Sequence, residues 1–131
     1  MTADHISLVA IVVPDYEAGL AFYVAKLGWD LREDIELGAE KRWVVVAPPD
    51  SQCAVLLARA SGPDQTAAIG NQTGGRVGFF LRVGQFDKAY QAMVAAGVVF
   101  EGAPRHESYG SVAVWQDPFG NRWDLLGPPP V

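Results

Sequence analysis

The same succession of elements occurs twice in this chain, and no other feature narrows its fold as much. Val9 to Val13 reads as a strand, and Tyr16 to Leu27 follows with apolar residues at helical spacing, Leu20, Phe22, Tyr23 and Leu27. Gly28 supplies the left-handed stop. In the second half Phe79 to Val83 is the strand, Phe86, Ala89, Tyr90, Met93 and Val94 mark the helix, and Gly97 stops it. Three strand-like stretches follow each helix. They are Trp29 to Glu33, Arg42 to Ala47 and Cys53 to Ala58, then Val98 to Glu101, Ser111 to Trp115 and Asn121 to Leu126. Val13 and Val83, Gly28 and Gly97, and Pro49 and Pro118 recur at an offset of about 70 residues. The polar stretch Ser61 to Gly75 between the halves has the look of a linker. One domain over residues 1–131 is expected, with βαβββ modules at about 5–60 and 76–127 and a linker at 61–75. A ferredoxin-like α+β sandwich is the alternative arrangement.

Composition supports one domain with its own core, since half of the 131 residues are apolar and 19% are charged. The formal charge is −5 and no basic run occurs, so a nucleic-acid partner is not expected. Met1-Thr2-Ala3-Asp4-His5 lacks the pattern of a signal peptide. No apolar run approaches the roughly 18 residues of a membrane helix, so no membrane partner and a cytoplasmic location are expected. Cys53 is the sole cysteine, which excludes an intrachain disulfide and a thiolate zinc site. Its apolar context predicts core packing.

The stretch Trp115-Gln116-Asp117-Pro118-Phe119-Gly120-Asn121-Arg122-Trp123-Asp124-Leu125-Leu126 reads as a strand, a tight turn and a returning strand. Asp-Pro at the entry and Gly-Asn at the exit supply the fixed φ and the positive φ that a reversal needs. This hairpin resembles the closing hairpin of the vicinal oxygen chelate superfamily, which contains glyoxalases, extradiol dioxygenases and bleomycin-resistance proteins. Val13-Pro14-Asp15-Tyr16-Glu17-Ala18-Gly19-Leu20-Ala21-Phe22-Tyr23, then Leu27-Gly28-Trp29, is similar to the family's opening strand and helix. Arg42 to Val46 and Tyr109 to Val114 are similar to its paired central strands, so the resemblance runs from about Leu8 to Leu126. It implies an α+β fold in which two βαβββ modules form an open, cup-shaped mixed sheet with helices outside and the ligand inside.

The resemblance places the family's metal ligands on Leu8, Leu57, Gly78 and Asp124. Aliphatic side chains and glycine cannot donate to Mn²⁺, Fe²⁺, Ni²⁺ or Zn²⁺, so no metal and no cofactor are expected. Strand alternation directs Leu8, Ala10 and Val12 into the cup, with Gly78, Phe80 and Arg82 from the second module and Arg122, Asp124 and Leu126 from the last strand. Trp123 is assigned to the core, whereas the face of Trp115 is undetermined. An inward Trp115 near Asp124 would make an aromatic platform beside a carboxylate. His5 lies at the wrong parity for a ligand, and His106 reads as a loop residue.

No Gly-x-Ser-x-Gly elbow, Walker loop or His-Glu-x-x-His motif occurs, and Gly70 to Gly75 precedes a strand rather than a helix N-terminus. Two functions follow from the resemblance. One is a metal-independent binder of a hydrophobic, aromatic or cationic, antibiotic-like small molecule, held by Leu8, Val12, Leu57, Gly78, Phe80, Arg82, Trp115, Arg122 and Asp124. The other is a glyoxalase-like lyase or a dioxygenase of the same superfamily, with catalytic residues unknown. A homodimer is expected in either case, because open sheet edges and apolar strand faces invite pairing.

Overall fold

A computed structural model of the chain describes residues 3–129, so the readings that fall on Met1, Thr2 and the last two residues lie outside the described residues. The chain divides into two compact units, residues 1–69 and 70–131. Each repeats the strand–helix–strands order read from the sequence, and the fold is of the α+β class with two mixed sheets.

The first unit opens with β1 (Leu8–Val13), followed by α1 (Tyr16–Leu20), which passes into a π-helical segment, Ala21–Lys26. Asp15 caps α1: its Oδ1 accepts the Ala18 N–H at 2.7 Å, satisfying one of the otherwise orphaned first-turn donors. Gly28, at φ +78°, ends the helical run. Strands β2 (Asp30–Glu36), β3 (Arg42–Ala47) and β4 (Ala54–Arg59) and helix α2 (Gly62–Ala68) complete the unit. The sheet order is β1-β4-β3-β2, with β1 parallel to β4 and the other pairs antiparallel.

Ile11, Val13, Val44, Val46 and Leu57 form the sheet side of the core and are fully buried, with Phe22 and Tyr23 from the helical segment. Gly19 fixes how closely α1 seats on this sheet, because an added Cβ there would lie 2.8 Å from Leu57 Cδ1.

The second unit contains β5 (Val77–Arg82), α3 (Phe86–Ala95), β6 (Val99–Phe100), β7 (Arg105–Glu107), β8 (Gly110–Gln116) and β9 (Arg122–Gly127). Its sheet order is β5-β9-β8-β6, and β7 also pairs with β8. Trp115 and Trp123 stand opposite each other in the β8–β9 ladder and stack at 4.9 Å and 12°. Phe79 lies 5.0 Å from the Trp123 ring, and Leu125 is fully buried beside them. The β8–β9 turn is held by Asp117, whose carboxylate accepts the N–H groups of Phe119 and Asn121 and the Asn121 side-chain amide. Gly120 at φ +104° completes the reversal.

Three details differ from the sequence reading. The stretch expected as a linker carries α2, started by Gly62-Pro63, because proline suits the first turn of a helix. His106 belongs to strand β7 rather than a loop. Cys53 is exposed, because β4 begins one residue later and the thiol is left outside the strand.

Candidate functional site

In the second unit, one face of the sheet packs on α3 and the other does not. Trp123, Leu125 and Gly127 point towards α3, and an added Cβ on Gly127 would lie 2.6 Å from Phe86 Cβ. Alternation therefore puts Arg122, Asp124 and Leu126 on the face away from α3. Registered neighbours on that face are Phe80 beside Asp124, Arg82 beside Leu126, and Val112, Val114 and Gln116 across β8. Phe80 is 61% exposed, an aromatic ring standing on an open strand.

Charges on this face sort themselves. Glu101 takes a two-pronged pair of bonds from Arg122, Nε to Oε2 and Nη2 to Oε1, both at 2.7 Å. Gln116 Nε2 adds a third at 3.0 Å, and Arg122 Nη1 donates to the Gly75 carbonyl at 2.9 Å. The Arg122 bonds, then that of Gln116, hold Glu101 below the usual carboxylate range, and Glu101 in turn raises Arg122. Arg122 is thus committed to Glu101 rather than to Asp124.

The Asp124 carboxylate is half-buried and makes no hydrogen bond or ion pair among the described residues. Burial raises its pKa, against the charges of Arg105 and Arg122, which lower it; Glu101 adds to the rise. Arg105, on β7, faces the same way, since it registers with Val112.

His106 points to the other side. Its Nδ1 lies 2.9 Å from Ser111 Oγ, and that hydroxyl donates to the Pro128 carbonyl at 3.1 Å. The hydroxyl proton is therefore engaged, His106 is the donor, and the pair clips the chain end to β8 rather than activating a nucleophile.

In the first unit, Leu57 departs from the sequence reading. It registers with Ile11 in the parallel β1–β4 pair, is fully buried and packs on Gly19 of α1. The residues of β4 that face away from α1 are Ala54, Leu56 and Ala58. Leu8 packs there with Trp43, Val45 and Leu56, and Val12 registers with Ala58 on the same face. A cleft of about 640 Å³ is lined by Trp43, Leu56, Leu57, Ala58 and Ala60 together with the polar Tyr16, Glu40, Lys41, Arg42, Arg59, Ser61 and Gln65, so Leu57 borders it although its side chain packs on α1. Trp43, Leu56 and Ala58 were not among the sequence candidates. The clue was present in Arg42-Trp43-Val44-Val45, where alternation sets Trp43 and Val45 against Val44 and Val46.

Trp115 also departs from the site proposed for it. It is fully buried, faces α3 and stacks on Trp123, because its ladder partner fixes it to the core side.

The donors do not fit a catalytic metal. Leu8 and Leu57 are aliphatic and Leu57 points into the core. Gly78 has no side chain, and Thr73 Cγ2 occupies the space where its Cβ would stand. Among the described residues no three His, Cys, Asp or Glu side chains gather as a metal-binding group. Asp124 alone remains. Among the same residues no helix is long and apolar enough to cross a membrane.

Residues 3–125 match the model of the Glyoxalase/Bleomycin resistance protein/Dioxygenase superfamily. A protein of Shewanella frigidimarina is 49% identical over 120 residues, covering 90% of this chain and 89% of its own. Among solved structures, UcmS2 superposes with a TM-score of 0.82 at 30% identity, covering 95% of this chain and 98% of its own. TnmS3, an antibiotic binding protein from Streptomyces sp. CB03234, superposes with a TM-score of 0.76 at 29% identity, covering 98% of both chains.

Proposed function

Because the chain belongs to the Glyoxalase/Bleomycin resistance protein/Dioxygenase superfamily, we propose that it is a metal-independent binding protein for an antibiotic-like small molecule. The observation that carries this reading is the 640 Å³ cleft of the first unit, where Trp43, Leu56, Leu57 and Ala58 stand beside polar and charged groups such as Arg42, Arg59 and Gln65. Concave sites with apolar walls and a few polar groups are where small molecules are held. The likeness to TnmS3 supports a guest of the antibiotic kind. The protein acts in the cytoplasm as a homodimer on this reading.

The alternative is an enzyme of the same superfamily, glyoxalase- or dioxygenase-like. Asp124, with its raised pKa, favours it as a general base. The donor set at Leu8, Leu57 and Gly78 opposes it, because both chemistries in this family run through a metal.

Titration of the purified protein with Mn²⁺, Ni²⁺, Zn²⁺ and Fe²⁺, read by elemental analysis after dialysis, separates the two. We expect no stoichiometric uptake, and an Asp124-dependent metal would overturn the binding reading. Planar aromatic compounds should quench tryptophan emission through Trp43. Aromatic stacking contributes roughly 0.5–1.5 kcal/mol beyond buried area, so Trp43→Ala should weaken such a guest by about two- to twelvefold.

A further inference from the structure

The face of the second sheet that turns away from α3 combines charge and apolar surface in a way the net charge of the chain does not foretell. Arg82 on β5, Arg105 on β7 and Arg122 on β9 lie on it. Glu107 on β7 and Asp124 on β9 share it, with Glu101 beyond β6 bonded to Arg122. The three cations and three acids balance, although the whole chain carries −5. A guest that is simply cationic would meet Arg82 and Arg105 as well as Asp124, so attraction by the acid alone does not describe this surface.

Pairing within the face is uneven. Arg122 and Glu101 satisfy each other, with Gln116 and the Gly75 carbonyl taking the remaining bonds. The Asp124 carboxylate has no hydrogen bond among the described residues, and Arg105, whose charge acts on it, makes no ion pair with it within 4 Å. Between and beside them lie Val112, Val114 and Leu126, with the exposed Phe80 ring next to Asp124 on β5. A half-buried acceptor and a cation therefore stand apart across an apolar floor beside an aromatic ring. An acceptor without a partner in a partly dry setting is costly, and a guest that bonds Asp124 while reaching the exposed Arg105 gains a charge-assisted contact from each.

We infer that this face binds an amphoteric aromatic guest, one that offers a cationic N–H donor to Asp124 and an anionic or carbonyl acceptor to Arg105, with its ring against Phe80. This rests on the small-molecule reading above and adds a surface that shares no residue with the first-unit cleft, with the chemical class of its guest. Neither a plain amine nor a plain anion satisfies both groups. A guest that carries both a cationic donor and an anionic acceptor does.

Calorimetric titration of the full chain with three naphthalene probes tests it: naphthylmethylammonium, naphthalenesulfonate and the zwitterion naphthylalanine. The zwitterion should bind at least tenfold tighter than either singly charged probe. Asp124→Asn should weaken the zwitterion and the ammonium roughly ten- to hundredfold and leave the sulfonate unchanged. Arg105→Gln should weaken the zwitterion and the sulfonate and leave the ammonium unchanged or improved. If Asp124→Asn does not fold, the wild-type protein supplies the contrast, since acidification through the Asp124 titration should weaken the zwitterion but not the sulfonate. Equal affinities for all three probes, or a loss within either variant that is the same for the ammonium and the sulfonate, would overturn the inference. If the probes instead lose affinity only in Trp43→Ala, binding belongs to the first unit, so the binding function stands and the amphoteric face does not.

Discussion

At the scale of single residues, the decisive competition is between Asp124 and Glu101 for Arg122. Glu101 wins with two parallel bonds at 2.7 Å, the geometry that a guanidinium matches best. Asp124 is left charged in a half-buried place, which raises its pKa. Its folded-state pKa lies above the unfolded value, so the stability it contributes is fully present below the unfolded pKa and is lost as pH rises through the folded one. Glu101 has the opposite sign: its folded pKa is lowered, so its contribution is present above the unfolded pKa and is lost as pH falls through the folded one. The two carboxylates therefore bias acid stability in opposite directions.

Glu101→Gln should move the Asp124 midpoint downwards, because a repelling charge is removed and Arg122 is freed to act on Asp124 alone. NMR titration of the Asp124 side-chain carboxyl reads this directly. A midpoint that stays in place or rises would show that Arg122 does not turn to Asp124 when Glu101 releases it.

At the scale of elements, the approach of α1 to its sheet depends on one missing methyl group. Gly19→Ala would place Cβ 2.8 Å from Leu57 Cδ1, inside ordinary contact distance. Overpacking of this kind costs about 1–3 kcal/mol, while alanine returns up to about 1 kcal/mol of helix propensity. The larger effect should win, and urea denaturation should show a net loss of about 1–2 kcal/mol. An unchanged or increased midpoint would mean that Leu57 rotates aside freely. Gly19→Ala, Leu57→Ala double-variant analysis should then show the glycine's cost vanish when the leucine is removed.

Which parts of these elements were legible depended on how cleanly apolar and polar residues alternate. In β9, Arg122-Trp123-Asp124-Leu125 alternates strictly, so its two faces separate on inspection. In β4, Ala54-Val55-Leu56-Leu57-Ala58 is apolar throughout, so either parity is chemically acceptable. Alternation therefore leaves the face of Leu57 open, the resemblance alone sets it in the site, and its register with Ile11 turns it to α1. Strand β7 is three residues, Arg105-His106-Glu107, with no apolar signal, and it exists because β8 offers a free ladder side.

At the scale of the whole molecule, the expected association rests on what the first unit leaves uncovered. Every residue of the edge strand β2 is exposed, and Leu31 and Ile35 are 45% and 49% exposed, with Leu37 beyond them at 54%. An edge strand with apolar side chains and one open row of backbone groups favours pairing. Sedimentation at micromolar concentration should therefore give a dimer. Replacing Leu31 and Ile35 with lysine should shift the protein towards monomer while keeping its far-ultraviolet circular dichroism. A monomeric wild-type protein at that concentration would remove the homodimer from the proposal.

The sequence by itself determined the repeated order of elements, the helix stops at Gly28 and Gly97, the Asp117 turn and the absence of donors at Leu8, Leu57 and Gly78. These follow from local rules: periodicity, backbone preferences of glycine and proline, and the chemistry a side chain carries wherever it sits. Tertiary structure alone decided that Leu57 and Trp115 face the helices, that Trp43 lines a cleft and that Arg122 answers Glu101 instead of Asp124. Each of those outcomes is set by a partner far away in the chain: Ile11 for Leu57, Trp123 for Trp115, Glu101 for Arg122. A residue's own neighbours in sequence hold no record of which distant strand will register against it.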